Sequence, residues 1–276
     1  MTESNKKSRS LAGIAGIVAI ATLISKIFGL VRQQAIAAAF GVGPAYGAYN
    51  FAYVIPGFLL ILLGGINGPF HSAIVSVMAK KKQEEVAPIM ETISTLVVGV
   101  LFLVMLGLLV FAEPLMHLVA PGLFITEAQA QARGITPDLF QTLQQTQNIA
   151  IQQFRIMAPM AVLAGLIGIG FGALNAADQY WLPSISPLFS SVTVLLGLGG
   201  LALYLGKSMI LPEYAAIGGA VLAWSTLAGA LLQWLVQLPA QWKSQLGGLR
   251  PRFNFRQPEV QEVIRIMGPA TFSSGM

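Results

Sequence analysis

The stretch that decides the fold runs over Leu11–Phe40 and reads "LAGIAGIVAIATLISKIFGLVRQQAIAAAF". Lys26 and Arg32 are its two charged residues, and no other charge occurs between positions 10 and 79. A transmembrane helix needs about 20 predominantly apolar residues, so this stretch is long enough to cross a bilayer. It predicts a membrane-spanning helix that carries two cations near its middle.

The rest of the chain has the same character. Charged residues make up 10% of it and the mean hydropathy is +0.71, whereas a soluble domain carries about 25% charged residues. Long stretches lack any charge, namely residues 33–79, 156–177, 179–206 and 214–242. Backbone polar groups in lipid must be satisfied within each segment, so the fold class is an all-α integral membrane protein.

We predict six complete spans, at about 11–40, 46–79, 86–111, 149–176, 182–205 and 215–238, and the start of a seventh near Val260. The basic clusters "NKKSR", "AKKKQ" and Lys243, Arg250, Arg252 and Arg256 all flank the same side of this arrangement. Cytoplasmic loops carry the excess of Lys and Arg, so the N-terminus is expected in the cytoplasm.

Two segments are not expected to span the membrane. Residues 125–147 are polar and rich in glutamine, and they predict a short helical hairpin on the outer face. Residues 241–258 ("QWKSQLGGLRPRFNFRQP") mix cations with aromatics, which is typical of an amphipathic cytoplasmic linker. The predicted domains are a six-span bundle over 1–240, the linker over 241–258, and the start of a second bundle over 259–276. Since too few residues follow Arg265 for a crossing, we expect a fragment cut inside span 7.

The two cations of span 1 predict an anion site. A charge at the bilayer centre costs about 2.5–3.5 kcal/mol on insertion scales and usually faces a bundle interior or a cavity. On a helix, Ser25 and Gly29 fall within roughly 60° of Arg32, and Lys26 lies about 120° away. Arginine suits bidentate phosphate recognition and lysine acts as a point charge. The alternative is that both long side chains reach a membrane interface.

Span 2 is irregular. Proline kinks helices, and broken helices in membranes line cavities or move, so we predict a hinge or cavity lining at Pro56, Gly57, Gly64, Gly65, Gly68 and Pro69. The alternative is glycine for tight packing. Asn67 and His71 lie four residues apart on one helix face and are candidates for polar contact with a substrate.

Span 4 holds a dense glycine series at Gly165, Gly168, Gly170 and Gly172, which predicts close helix packing. Several classes of function are not supported. The chain has no cysteine, so disulfides and thiolate metal sites are excluded. No catalytic set or nucleotide-binding glycine loop occurs, and His71 has no ligating partner, so we expect no enzyme, cofactor, metal or nucleic-acid partner.

Several pieces of the sequence together resemble the MurJ/MviN family, the lipid II flippases of peptidoglycan synthesis. They are "SKIFGLVRQQAIAAAFGVG", "AYNFAYVIPGF", "VAPGL", "FRIMAPM", "GALNAADQYWLPSISP" and "RIMGPATFSSG", in that order. The wording "GGINGPFHSAIVSV" resembles cyanobacterial members. The resemblance implies the fold of the multidrug/oligosaccharidyl-lipid/polysaccharide exporter superfamily, with two six-helix lobes around a central cavity. This chain would be the N-terminal lobe and the start of span 7.

The resemblance also implies a function. Its members are multi-pass proteins of the bacterial cytoplasmic membrane that serve cell-wall biogenesis and cell shape. The expected partners are a lipid-linked glycan diphosphate, membrane lipids and cell-wall synthesis enzymes. The family's cationic residues in span 1, thought to meet the diphosphate, map onto Lys26 and Arg32.

This chain departs from the family pattern at two places. An acidic residue common near the start of span 2 maps to Gly47, and arginines common after the span 2 proline map to about Leu60 and Ile61. The cationic site is therefore thinner than usual. The alternatives are a polysaccharide-lipid flippase, a drug or cation antiporter of the same superfamily, and a scaffold or inactive fragment.

Overall fold

The computed structural model describes residues 11–41, 43–65, 68–78, 80–81 and 83–274, and this part of the chain contains helices but no strand. Asn67 and the "NKKSR" cluster lie outside the described residues. Fourteen α-helices occur in the described part: α1 (Leu11–Phe40), α2 (Pro44–Ala52), α3 (Val54–Gly64), α4 (Pro69–Met78), α5 (Gln83–Val110), α6 (Ala112–Val119), α7 (Glu127–Ala132), α8 (Pro137–Met157), α9 (Met160–Ala176), α10 (Trp181–Ile185), α11 (Pro187–Leu205), α12 (Ala215–Leu235), α13 (Leu238–Lys243) and α14 (Pro258–Ser274).

The helices confirm an all-α membrane architecture. Five segments of the described chain are long and apolar enough to cross a membrane: Ala15–Phe40, Val54–Met78, Glu84–Val110, Trp181–Ile210 and Pro212–Lys243. The pair α8 and α9 makes a sixth if it counts as one span with a 40° bend. The break contains Pro159, and proline removes a helix hydrogen bond and kinks the chain.

The predicted start of span 4 at residue 149 was wrong, because α8 already begins at Pro137. Thr136 caps the helix by accepting a hydrogen bond from the Leu139 amide, and proline takes the first helical position, where its missing N–H costs nothing. The hairpin predicted at 125–147 is confirmed in its first arm, α7. Its second arm is not a separate helix but the first half of α8.

Span 2 is three helices rather than one. The chain leaves α2 at Tyr53, which separates it from α3, and a second break separates α3 from α4. The second break coincides with the predicted glycines: α3 ends at Gly64, and the Gly68 amide donates to the Gly65 carbonyl oxygen at 3.0 Å. An added Cβ at Gly65 would lie 2.6 Å from the Ile61 carbonyl oxygen, so a side chain does not fit there.

Helix α9 is the centre of the bundle and packs against α3, α4, α5 and α12. Its glycines confirm the prediction of close packing. A Cβ at Gly168 would overlap the Leu63 carbonyl oxygen of α3, and one at Gly165 would overlap the Leu101 side chain of α5. At Gly172 a Cβ would lie 2.9 Å from that of Ile74 in α4. Small residues let helix backbones approach closely in a membrane, where lipid tails are as apolar as leucine.

The end of the described chain packs back on this bundle. Val260 and Val263 of α14 are fully buried, and they belong to a core cluster that also contains residues of α4 and α5. The division of the chain at 240 and 258 stays a prediction.

Candidate anion site on the first helix

Helix α1 has one packed side and one free side. Buried residues follow a helical stripe that faces α10, α11 and α12, made of Ala21, Ser25, Ile36 and Phe40. The other side exposes large apolar residues: Ile20, Leu23, Ile27, Leu30 and Val31. A side chain on α1 therefore either contacts the bundle or points away from it.

Arg32 continues the packed stripe, between Ser25 and Ile36. Its side chain is half-buried, and its Nε is fully buried without a hydrogen-bond partner in the described structure. The ion pairs of the described residues are Lys80–Glu262, Lys81–Glu259 and Arg252–Glu91, so no carboxylate in the described part of the chain neutralises Arg32. A buried cation without a partner is costly, and it attracts an anion.

Three tyrosines of the second span surround this end of α1. The positive charge of Arg32 acts on the hydroxyls of Tyr49 and Tyr53, whose rings stack with centroids 5.4 Å apart. The Tyr49 hydroxyl lies 3.0 Å from the Thr226 Oγ1 of α12. On the adjacent position of α1, Gln33 Nε2 donates to the Tyr46 hydroxyl at 2.6 Å. The neighbourhood of Arg32 is thus a half-buried aromatic wall with hydroxyl groups.

Sequence reasoning missed this wall, although a signal was present. Tyr46, Tyr49 and Tyr53 are spaced three and four residues apart, which places them on one helix face. Gly57 belongs to the same arrangement, because a Cβ there would overlap the Tyr53 ring. Gly57, predicted as part of a hinge, accommodates this ring. Pro56, predicted with it, lies in the first turn of α3.

Lys26 is exposed on the other side of α1. It makes no ion pair with a described carboxylate. The predicted offset of about 120° between the two cations agrees with this placement. The structure does not bring them to one point: Arg32 lies beside the tyrosines, and Lys26 faces away from the bundle.

The two small residues of the predicted site differ from each other. The Ser25 hydroxyl donates to the carbonyl oxygen of Ala21 or of Ser184, each 3.0 Å away, so it joins α1 to α10. Gly29 has open space beside it, since a Cβ there would meet nothing within 4 Å. Room for a ligand near Arg32 therefore exists at Gly29, whereas Ser25 is used in packing.

His71 lies apart from this site. Its Nε2 is 2.7 Å from the Asn175 Nδ2 of α9, and a Cβ at Gly172 would come within 3.2 Å of the His71 backbone. No group of three or more metal-ligating side chains occurs among the described residues. A contact of His71 or of Asn67 with a substrate stays a prediction, as does movement about the glycine-proline break.

The two positions where the chain departs from the family pattern add no charge near Arg32. Gly47 is half-buried, with the Thr146 side chain 3.9 Å from where its Cβ would lie. Leu60 packs against the hydrophobic core. Arg32 is therefore not compensated by either position.

Comparisons with known proteins agree with one another. The family model described as "Lipid II flippase MurJ" matches residues 36–276. The chain is 58% identical to the "Probable lipid II flippase MurJ" of Synechocystis sp., covering all of this chain and 48% of that protein. It is 29% identical to the lipid II flippase MurJ of Burkholderia cenocepacia, covering 96% of this chain and 46% of the relative.

A solved structure titled "Lipid II flippase MurJ, inward closed conformation" superposes with a TM-score of 0.60 at 21% identity, over 93% of this chain and 48% of that one. This likeness shows the fold. The chain spans about half the length of the curated relatives it matches.

Proposed function

Because the chain belongs to the MurJ family of lipid II flippases, we propose that it forms the N-terminal half of a transporter for a lipid-linked peptidoglycan precursor. The cargo is an undecaprenyl diphosphate that carries a sugar–peptide head group. The full-length protein moves this head group across the bacterial cytoplasmic membrane while the lipid tail stays in the bilayer.

The observation that carries the proposal is Arg32. It is a half-buried cation with a fully buried, unpartnered Nε, and no carboxylate of the described chain pairs with it. A guanidinium matches the oxygens of a phosphate in a bidentate manner. The Tyr46 hydroxyl accepts from Gln33 and keeps its own proton for a further hydrogen bond, and the open space beside Gly29 admits the ligand.

Lys26 has a separate role in this mechanism. It lies on the free side of α1, so it meets the diphosphate before or after Arg32 rather than together with it. Alternating access then follows from rocking of the two lobes around this site, with the break between α3 and α4 as one flexible point.

The decisive experiment uses the full-length protein with Lys26→Ala and Arg32→Ala combined. Translocation is measured in vesicles as the appearance of lipid-linked disaccharide-peptide at the outer face. We expect transport to fall by at least about tenfold, because removing both cations that meet a charged ligand costs more than about 1.4 kcal/mol. A matched control removes two exposed cations, with Arg133→Ala and Lys207→Ala. Undiminished transport by the double variant at 26 and 32 would exclude this mechanism.

The proposal includes an orientation. The N-terminus and the 241–258 segment lie in the cytoplasm, as the distribution of Lys and Arg indicates. Single cysteines are introduced at Gln131 and at Lys243, both exposed, in a full-length background without other cysteines. A membrane-impermeant thiol reagent should label position 131 in intact cells and position 243 only after permeabilisation, and the reverse pattern would overturn the orientation.

Cell-wall synthesis enzymes are the partners that this activity implies.

A further inference from the structure

The segment that joins α13 to α14, residues 244–257, is here called the connector. Its first part lies against the cytoplasmic end of α5. The Gly248 amide donates to Glu91 Oε1 at 3.1 Å, and Arg252 Nε donates to Glu91 Oε2 at 2.5 Å. The Arg252 amide also donates to the Thr95 Oγ1 at 3.0 Å. Three hydrogen bonds therefore hold residues 248–252 to a single turn of α5.

Glu91 is the centre of this contact. Its side chain is 7% exposed, and both of its carboxylate oxygens have partners in the connector. The Arg252 side chain is 47% exposed, so only Glu91 is buried in this pair. Removing the arginine would leave the Glu91 carboxylate buried and without its cation, which is destabilising. We call the hydrogen bonds from Gly248 and Arg252 to Glu91 and Thr95 the clamp. It is expected to stay closed as long as the bundle is folded.

The backbone of the connector fits tightly at the same place. Gly247 has φ +104°, and a Cβ there would lie 3.1 Å from the Ala87 carbonyl oxygen and 3.5 Å from the Met90 Cβ. Leu246 is 4% exposed. Only glycine adopts this φ readily, so the close approach to α5 is built into the connector's sequence.

The second part of the connector differs. Residues 253–256 make no hydrogen bond or ion pair with any helix in the described part of the chain. Phe253, Asn254 and Arg256 are exposed. After them, α14 is held to the bundle by Val260 and Val263 and by the ion pairs Lys81–Glu259 and Lys80–Glu262. The Lys80–Glu262 pair is exposed and contributes little to stability, whereas the Lys81 and Glu259 side chains are 25% and 24% exposed. The connector is thus fixed before residue 253 and free directly after it.

We propose that Glu91 is a positioning residue for transport, which clamps residues 246–252 to the first lobe so that residues 253–256 form the hinge about which α14, the expected start of the second lobe, moves against the first lobe. This inference rests on the proposed transport function and goes beyond it. With the clamp closed, the hinge is short, and a movement of the second lobe is transmitted to α14 at a defined point. With the clamp open, all of residues 244–257 can move. A movement of the second lobe is then no longer transmitted to the first lobe at a defined point.

Hydrogen exchange of the full-length protein tests the clamp without any transport measurement. Amides that open only with the fold exchange far more slowly than those of mobile segments. We expect slow exchange at Gly248 and Arg252 and fast exchange over 253–256. Glu91→Ala should speed the exchange of residues 246–252 by at least about tenfold, whereas Glu84→Ala, an exposed carboxylate on the same helix, should leave it unchanged. Equal exchange of 246–252 and 253–256 in the wild type would overturn the proposal.

Transport and binding then separate a positioning role from a merely structural one. In Glu91→Ala we expect the translocation rate to fall by about fivefold or more, while the affinity for the lipid-linked diphosphate changes by less than about twofold. Arg252→Gln, outside any helix, should give the same pattern and serves if Glu91→Ala does not fold. Normal translocation by Arg252→Gln, or a parallel loss of affinity, would contradict the proposal. If the wild type moves no lipid-linked substrate, the proposed function fails, and the exchange contrast still tests the clamp.

Discussion

Helices α1 and α9 are both apolar spans, but they have opposite positions in the lobe. Most of α9 is buried, chiefly against α3, α4, α5 and α12. In the apolar window of α1, 11% of the residues are buried. Their sequences differ accordingly, since α9 carries glycines toward several neighbours and α1 carries large apolar residues and two cations. In a membrane, hydrophobicity does not distinguish a central helix from a peripheral one. The distribution of small residues does, because only these allow close approach.

The largest expected effect is at Gly168 of α9. Gly168→Ala places a methyl group on the Leu63 carbonyl oxygen, a backbone atom that cannot move without shifting α3. We expect a loss of about 3 kcal/mol in the free energy of unfolding, measured by thermal or denaturant unfolding in detergent. The matched change on α1 is Gly29→Ala, where a Cβ meets nothing. Equal stability of the two variants would break the comparison.

The next effect concerns the cation on the packed side of α1. Arg32→Met removes a half-buried charge with an unpartnered Nε, so we expect the free energy of unfolding to rise by about 1 kcal/mol. Transport by the full-length protein should fall at the same time. Lys26→Met, on the free side, should change stability by less than about 0.5 kcal/mol. If Arg32→Met lowered stability, the guanidinium would have a structural partner and the proposed site would lose its main support.

An effect on stability alone is expected at Ser25, which the sequence groups with Arg32 and the structure assigns to packing. Ser25→Ala removes the hydrogen bond to the carbonyl oxygens of Ala21 and Ser184. The expected cost is about 1 kcal/mol in the free energy of unfolding, with transport unchanged. Ser72→Ala, at an exposed position of α4, is the control for the substitution itself. A transport defect without loss of stability would return Ser25 to the substrate site.

The smallest effect is expected at the start of α14, where Glu259 pairs with Lys81. The hydrogen bond between Lys81 and Glu259 raises the pKa of Lys81 from 10.5 and lowers the pKa of Glu259 from 4.5. The Glu259 contribution is present above pH 4.5 and is lost as the pH falls through the lowered pKa. The Lys81 contribution is present below pH 10.5 and is lost as the pH rises through the raised pKa.

Amide exchange of the first turn of α14 should accordingly be slowest at intermediate pH, after correction for the intrinsic pH dependence of exchange. In Glu259→Gln this dependence should largely disappear, while the exchange of α9 should not change. A pH dependence that survives the substitution would assign the effect to other groups.

Much of the fold follows from local sequence. The lengths of the charge-free stretches predict the spans because the bilayer thickness sets the length of a helix. The glycines of α9 and the break between α3 and α4 are likewise visible as residue types. The early start of α8 was missed, because a polar helix outside the apolar core gives no hydropathy signal. It was set instead by Thr136 and Pro137 at its first turn.

Only part of the candidate site could be predicted from the sequence. The angular separation of Lys26 and Arg32 follows from helix geometry alone, and the structure agrees with it. Which side of α1 faces the bundle depended on α10, α11 and α12, which lie more than 140 residues further along the chain. The same contacts decided that Ser25 packs and that Gly29 stays open. The spacing of Tyr46, Tyr49 and Tyr53 was readable, but their nearness to Arg32 was not.

The sequence by itself determined that this chain crosses a membrane several times, that its first helix carries two cations on different faces, and which family it resembles. These depend on hydrophobicity, helical periodicity and motif wording, which are local properties. Only the tertiary structure decided that Arg32 lies unpaired beside a tyrosine wall, and that Glu91 holds the connector through Gly248 and Arg252. The contacts of Glu91 join residues more than 150 positions apart, and no local pattern encodes which buried charge meets which distant donor.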